Sequence, residues 1–171
     1  MPKPTDPPSA FIIGCPRSGT TLLRAMLDSH PRVAVPPESY FTVKALRRAA
    51  RYGGPEAFDR TALLADIRGD VSWPSWAVSD ARLEPIAADP ALTTVPAVLR
   101  AVYDEYARGE GKERSIDKTP QHTEHVALLD AAFSISPLVE ETASGVCTMH
   151  VGGLDPAVRE PTLHAVIARL Q

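Results

Sequence analysis

Two kinds of apolar spacing follow one another near the start of the chain. The run from Ala10 to Ile13 is continuously apolar and contains two β-branched residues, which predicts a strand buried on both faces of a parallel sheet. Gly14 ends the run, and a turn over residues 14–19 follows. From Thr20 to Ser29 apolar residues recur at helical spacing, and Pro31 bounds that pattern. The pattern therefore predicts a strand, a tight loop and a helix.

Two further short segments have the composition of strands. Val33–Val35 is apolar and ends at two prolines, and Glu38 follows directly. Arg114–Asp117 predicts a weaker strand that leads into Lys118. Residues 1–8, with four prolines, predict a disordered lead-in.

The part of the chain between these strands has helical spacing. Gly and Pro residues and candidate caps divide it into helices, which together predict a helical insert. These helices are predicted over Phe41–Tyr52, residues 55–68, residues 80–88 and residues 95–108, and another over His122–Phe133. Trp73 and Trp76 flank Pro74 and are predicted to anchor a loop on the core.

Composition limits the class of protein. The chain has 171 residues, 44% of them hydrophobic and 6% aromatic, as expected for one folded domain with an aliphatic core. Its longest apolar runs are about four residues, far short of the roughly 20 needed to span a membrane. Cys15 and Cys147 are too few for a disulfide scaffold, and no leader pattern is present, so we expect a reduced, cytoplasmic protein.

The net charge of −3 is unevenly distributed. Residues 1–60 contain nine Lys or Arg against five Asp or Glu, and the remainder contains nine against sixteen. A basic N-terminal third in an acidic chain favours a local site for an anionic small molecule. A nucleic-acid surface would need a basic stripe across the whole domain, so no nucleic-acid partner is expected.

The loop after the first strand has the frame of a phosphate-binding motif. Gly14, four residues, Gly19 and two threonines stand between a predicted strand and a predicted helix. Backbone N–H groups from Arg17 to Thr21 can converge on phosphate oxygens at the positive end of the helix. Thr20, however, occupies the position where a nucleoside triphosphatase has lysine. The sequence therefore predicts phosphate binding without a metal.

The loop belongs to a longer motif, Pro16-Arg17-Ser18-Gly19-Thr20-Thr21-Leu22-Leu23 with Asp28-Ser29-His30-Pro31 after it. A second motif, Asp117-Lys118-Thr119-Pro120, follows about one hundred residues later. They resemble the 5′-phosphosulfate loop and the short lysine motif of sulfotransferases that use 3′-phosphoadenosine 5′-phosphosulfate. The likeness is greatest to the protein-tyrosine sulfotransferases and their bacterial relatives. It implies a three-layer α/β phosphate-loop fold with a parallel sheet and the helical insert, here incomplete.

The resemblance also implies the roles of individual residues. Arg17 would lie against the transferring sulfuryl group, Glu38 would take the proton of the acceptor hydroxyl, and Lys118 would neutralise the leaving 5′-phosphate. Donor binding would fall to Pro16, Arg17, Ser18, Gly19, Thr20 and Thr21. We expect Gly14–Thr21 to wrap a cavity at the carboxyl end of a central parallel strand, with Glu38 and Lys118 at the same rim.

The resemblance covers residues 9–133. The segment from 119 to 158 contains no Lys or Arg, although the family needs an arginine there for the 3′-phosphate of the donor. Residues 134–171 are thus predicted to be a divergent tail, either frame-shifted or genuine, and the chain to have weak or no activity. In the frame-shifted case, another reading frame after codon 133 would encode an apolar strand followed by Arg-Asp and Ser.

Other functions stay open at this stage. The chain could be a phosphate-loop nucleotide kinase, which Thr20 disfavours, or a non-catalytic remnant that binds a nucleotide. The acceptor could be tyrosine, a sugar hydroxyl, or a small alcohol or amine. His122 with His125, and Cys147 with His150, have the spacing of ligand pairs, but no third and fourth ligands accompany them, so no metal is expected.

Overall fold

The computed structural model describes residues 10–14 and 19–133. Within these ranges the sheet has three parallel strands in the order β1-β3-β2, with β1 at Ala10–Ile12, β2 at Val33–Ala34 and β3 at Arg114–Lys118. Ile12 is in register with Lys118, and Ala34 with Ser115. In the described part of the chain β3 is therefore the middle strand and β1 an edge strand, whereas the sequence placed the phosphate loop after a central strand.

Six α-helices accompany the sheet in the described residues. They are α1 (Thr20–Asp28), α2 (Tyr40–Arg47), α3 (Arg60–Arg68), α4 (Asp80–Ala88), α5 (Val95–Gly109) and α6 (Val126–Phe133). Short 3₁₀ helices lie at Ala49–Tyr52, Pro55–Ala57, Trp73–Trp76 and Pro120–His125. The fold is thus α/β, with the helical insert of α2 to α5 between β2 and β3. The predicted lead-in 1–8 and tail 134–171 lie outside the described residues.

The sheet is covered on both faces, as the continuous apolar run of β1 predicts. Ala10 and Ile12 pack with Leu27 of α1 on one face. Phe11 points to the other face, where its ring lies 5.2 Å from that of Phe133 in α6. Ile12, Leu27, Phe11 and Phe133 are the large side chains among them, and each contributes roughly 1.5–3 kcal/mol of transfer free energy. The result is a three-layer arrangement, with α1 on one side and most of the insert on the other.

Three of the predicted helices are shorter than the sequence indicated. The helix predicted over Phe41–Tyr52 is α-helical only to Arg47, and a 3₁₀ turn then carries Tyr52 into the core, where its hydroxyl donates to Asp66 at 2.9 Å. The helix predicted from residue 55 begins at Arg60, because Asp59 caps it through Ala62 N–H.

The last of these helices is also divided. The pattern over His122–Phe133 predicted one α-helix, but residues up to His125 form the 3₁₀ helix Pro120–His125. Spacing of three residues suits both helix types, so apolar periodicity does not distinguish them. The expected loop anchors Trp73 and Trp76 are both buried, with their rings stacked 5.9 Å apart.

Asp28 ties the end of α1 to the chain that leads towards Glu38. Its Oδ1 accepts hydrogen bonds from Val35 N and Lys112 Nζ, both at 2.9 Å. Burial by itself would raise the pKa of Asp28, but these two donors outweigh it and the pKa is lowered. Arg24 Nε adds a bond of 2.9 Å to the carbonyl of Val35. The segment after β2 is therefore fixed against α1.

Candidate active site

The sheet topology brings three segments to one edge. Because the strands are parallel, the loop after β1, the segment after β2 and the end of β3 all leave the sheet at its carboxyl edge. Ligands of open parallel sheets bind at this edge. The structure therefore groups the start of the predicted phosphate loop with Glu38 and Lys118.

The described part of the predicted phosphate loop leads directly into the N-terminus of α1. Gly19 stands at the cap position of α1 with φ of 84°, a left-handed conformation that favours glycine. A Cβ there would meet no other described atom within 4 Å. The first turn of α1 carries no acidic side chain, so none of its own carboxylates offsets the positive helix end. Thr20 is buried and Thr21 is exposed.

The other residues of the loop fall outside the described ranges. Pro16, Arg17 and Ser18 are among them, together with Cys15. Their predicted roles in holding the donor and the sulfuryl group stay predictions.

Glu38 and Lys118 form an ion pair at the carboxyl edge. Lys118 Nζ donates to Glu38 Oε1 at 2.7 Å. The Lys118 side chain is 7% exposed and that of Glu38 is 28% exposed, so the carboxylate stays accessible while the ammonium is largely enclosed. A buried lysine without such a partner would carry a large desolvation cost. The ion pair thus offsets this cost beside the site.

Tyr40 is hydrogen-bonded to the second oxygen of the Glu38 carboxylate. Its hydroxyl donates to Glu38 Oε2, and Gln121 Nε2 lies 3.4 Å from the Tyr40 hydroxyl. Burial by itself would raise the pKa of Glu38, but hydrogen bonds from Lys118 and Tyr40 outweigh it and lower the pKa. The hydrogen bond to Glu38 raises the pKa of Tyr40. Glu38 is therefore a charged carboxylate with two donors.

Aromatic packing supports the backbone of Glu38. Trp76 Nε1 donates to the Glu38 carbonyl oxygen at 3.3 Å. The Trp76 ring meets Phe41 of α2 edge to face, with centroids 5.0 Å apart, and Tyr103 of α5 at 5.1 Å. The tryptophans predicted as loop anchors therefore also hold the start of α2.

A buried polar cluster adjoins the ion pair through the chain neighbours of Glu38 and Lys118, and the sequence did not predict it. It consists of Ser39, Thr42, Tyr103, Asp117, Thr119 and His122, all buried. Ser39 Oγ and the Tyr103 hydroxyl both donate to Asp117 Oδ2. Burial raises the pKa of Tyr103 well above its ordinary value, and burial lowers that of His122 although Asp117 opposes this. Both groups are therefore neutral near pH 7.

No group of three metal-ligating side chains occurs in the described ranges 10–14 and 19–133. His122, one of the histidines with ligand spacing, has Nε2 3.6 Å from Asp117 Oδ1 and 3.3 Å from Ser39 Oγ. Cys147 and His150 lie outside the described residues.

A separate cavity of about 440 Å³ lies between α2 and α3. Its charged lining groups pair with one another: Lys44 lies 2.6 Å from Asp70, and Arg48 4.0 Å from Asp66. Neither Glu38 nor Lys118 lines it. This cavity is distinct from the carboxyl-edge site.

Comparison with known proteins decides the family. The sequence matches the profile of the Sulfotransferase family over residues 8–139, which is more than half of the chain. The chain belongs to the sulfotransferase family. This confirms the resemblance found in the loop and lysine motifs and favours it over the nucleotide kinase alternative. The α/β fold with its small parallel sheet agrees with membership of the sulfotransferase family.

Three relatives of known name match this chain over 129, 51 and 28 residues. Nodulation protein NoeE of Sinorhizobium fredii is 30% identical over 129 residues, which are 74% of this chain and 26% of that protein. Protein-tyrosine sulfotransferase 2 of Gallus gallus is 51% identical over 51 residues, 29% of this chain and 14% of the relative. Protein-tyrosine sulfotransferase 1 of Danio rerio is 71% identical over 28 residues, 16% and 8% of the two chains.

The matched stretch is a small part of each relative, because this chain spans at most about a quarter of the length of these curated proteins. No solved structure gives a significant match. Within the described segments, no helix is both long and apolar enough to cross a membrane.

Proposed function

We propose that the chain transfers a sulfuryl group from 3′-phosphoadenosine 5′-phosphosulfate to a hydroxyl or amine acceptor. The observation that carries the proposal is the ion pair of Glu38 and Lys118, with 2.7 Å between Oε1 and Nζ, at the same sheet edge as the phosphate loop. A base and a cation side by side are what this chemistry needs, because one must take a proton while the other offsets negative charge.

The residues at the carboxyl edge fit an anionic donor. Gly19 has no side chain to shield the backbone at the positive N-terminus of α1, and Thr21 in the first turn is exposed. The Lys118 ammonium has three N–H donors, and one of them is used in the hydrogen bond to Glu38. Lys118 can therefore also donate a hydrogen bond to the 5′-phosphate. In this proposal Pro16, Arg17 and Ser18 complete the loop with Gly19, Thr20 and Thr21.

Each residue of the proposed mechanism has one task. The donor, when bound, supplies the sulfuryl group, and the acceptor oxygen or nitrogen forms a bond to sulfur as the bond to the 5′-phosphate oxygen breaks. Glu38 takes the proton that the acceptor loses. Arg17 stabilises charge on the sulfuryl oxygens, and Lys118 stabilises the charge that develops on the leaving phosphate. No metal has a role in these steps.

We expect transfer by this chain to be slow. Residues 119–158 contain no Lys or Arg, so no guanidinium or ammonium from that segment can bind the 3′-phosphate of the donor. Tyrosine is one acceptor to test, because two of the relatives are named protein-tyrosine sulfotransferases. Sugar hydroxyls, small alcohols and amines are the others. With only Cys15 and Cys147, we place the protein in the cytoplasm.

Thermal unfolding of the full 171-residue chain tests the proposal. It is measured without ligand, with adenosine 3′,5′-bisphosphate, and with ATP and Mg²⁺. We expect selective stabilisation by the bisphosphate, because a ligand that binds only the folded state raises the unfolding temperature. Selective stabilisation by ATP with Mg²⁺ would support a kinase instead. Stabilisation by neither nucleotide would contradict the proposal and favour a non-catalytic remnant.

A further inference from the structure

Ser39 stands at the cap position of α2 but does not cap that helix. A serine at this position ordinarily accepts a hydrogen bond from an N–H in the first helical turn. The Ser39 side chain makes no such bond within α2. Its hydroxyl instead donates to Asp117 Oδ2, 78 residues further along the chain. The capping group is therefore used for a tertiary contact.

The backbone of Ser39 makes a second contact with the same strand end. Ser39 N donates to Thr119 Oγ1 at 2.8 Å, and the two hydroxyl oxygens of these residues lie 3.3 Å apart. Asp117 and Thr119 are the neighbours of Lys118 on either side. Ser39 is the neighbour of Glu38. The chain neighbours of the ion-paired residues are thus bound to one another.

The cost of this arrangement indicates that packing alone does not account for it. Asp117 is 2% exposed, and its Oδ1 has no hydrogen-bond partner among the described residues. His122 Nε2 lies 3.6 Å from this oxygen, beyond hydrogen-bond distance. A buried carboxylate with one incompletely satisfied oxygen is destabilising, and an apolar side chain would fill the space at lower cost.

We propose that Ser39 is a positioning residue for Glu38. Anchored to Asp117 and Thr119, it fixes the backbone of the preceding residue so that the Glu38 carboxylate meets Lys118. The inference rests on the proposed function only for the role of Glu38 as base. The geometric part, that Ser39 holds the ion pair together, can be tested without any turnover.

Substitution of Ser39 removes none of the described groups that face the Glu38 carboxylate. These groups are Lys118 from β3, Tyr40 from α2 and the more distant His122 from the 3₁₀ helix. Ser39→Ala removes one hydroxyl and no charge. A change in Glu38 would therefore report a change of position.

The decisive measurement is the pKa of the Glu38 carboxyl group, followed by NMR on the full chain with ¹³C-labelled glutamate. Glu38→Gln identifies the resonance by its loss. We expect a wild-type pKa below the ordinary value and an upward shift in Ser39→Ala, because the carboxylate moves away from Lys118. An unchanged pKa in folded Ser39→Ala would overturn the proposal.

Thr42→Val is the matched control. Thr42 is also buried in α2, and its hydroxyl lies 3.0 Å from that of Tyr103 in the same cluster. This variant loses one buried hydroxyl and leaves the Ser39 and Glu38 side chains unchanged, so the Glu38 pKa should stay at the wild-type value. An equal upward shift in both variants would show a general loosening of the cluster and would overturn a specific role for Ser39.

A second variant covers failure of Ser39→Ala to fold, judged by circular dichroism. Ser39→Cys has a weaker donor of similar size, and it should also raise the Glu38 pKa. If the wild-type chain shows turnover, Ser39→Ala should lower kcat about tenfold or more and leave KM for the donor near wild type. The two proposals can fail separately. If the wild-type chain shows no turnover but its Glu38 pKa depends on Ser39, the proposed function is contradicted and the positioning inference is supported.

Discussion

The ammonium nitrogen of Lys118 lies 2.7 Å from one carboxylate oxygen of Glu38, although 80 residues separate them in the chain. Parallel pairing on both sides of β3 explains the contact, because it brings the chain after β2 and the end of β3 to one sheet edge. The other carboxylate oxygen accepts from Tyr40. The Glu38 carboxylate therefore accepts one hydrogen bond on each oxygen, and both bonds lower its pKa.

Tyr40→Phe should shift the acid limb of activity. The Tyr40 hydroxyl helps to lower the pKa of Glu38, so its removal raises that pKa. A base must be deprotonated, and activity is lost as the pH falls through its pKa. We therefore expect the acid limb of kcat/KM to move to higher pH in Tyr40→Phe, measured under single-turnover conditions with enzyme in excess.

Tyr52→Phe is the control for this prediction. Tyr52 also donates to a carboxylate, Asp66, but lies outside the site. Its removal should leave the acid limb at the wild-type pH. A Tyr40→Phe profile that superimposes on the wild-type profile would show that the Tyr40 hydroxyl does not influence the base.

Gly53 and Gly54 are adjacent but should respond differently to alanine. Gly53 has φ of 81°, and a Cβ there would clash with the carbonyl oxygen of Ala57. Gly54 has φ of −91°, with no described atom within 4 Å of its Cβ position. We expect Gly53→Ala to lower the free energy of unfolding by about 1–3 kcal/mol, and Gly54→Ala to leave it unchanged or raise it by about 0.4–1 kcal/mol. Urea unfolding measures both, and equal effects would contradict this backbone conformation.

Much of the fold can be predicted from the chain alone. The run Ala10–Ile13 predicts β1 because four successive apolar residues suit a strand covered on both faces, and the spacing after Thr20 predicts α1. The meeting of Glu38 and Lys118 is also expected once parallel pairing is assumed. The divisions at Arg47 and His125 were not predicted, because spacing of three fits α and 3₁₀ helices alike.

The network around the ion pair could not be predicted in the same way. Ser39, Asp117 and His122 meet across 78 and 83 residues of sequence, and the contact depends on the exact depth of α2 and β3 in the fold. Each residue type is ordinary at its own position: serine before a helix predicts a cap. The three-dimensional structure shows that Ser39 makes no cap bond and donates its hydroxyl to Asp117 instead.

Glu38→Gln should separate binding from chemistry. Glutamine keeps the size and one acceptor oxygen of glutamate but cannot take the acceptor proton at neutral pH. We expect near wild-type affinity for adenosine 3′,5′-bisphosphate and a loss of transfer of about a hundredfold or more. Formation of the bisphosphate from the donor, in the presence of each acceptor class, is measured by liquid chromatography.

Glu84→Gln is the matched control, because Glu84 is an exposed glutamate of α4 away from the carboxyl edge. It should transfer at the wild-type rate. If Glu38→Gln transferred as fast as Glu84→Gln, Glu38 would not be the base.

The most direct test of the account is the affinity of the full chain for adenosine 3′,5′-bisphosphate, measured by calorimetry for wild type, Lys118→Ala and Lys112→Ala. Lys112 is the control because it also forms an ion pair, at 2.9 Å from Asp28, away from the carboxyl edge. We expect Lys118→Ala to bind at least about tenfold more weakly, since a charge-assisted bond to the 5′-phosphate is lost, and Lys112→Ala to bind as wild type. Equal affinity in all three proteins, or no binding by the wild type, would contradict the account.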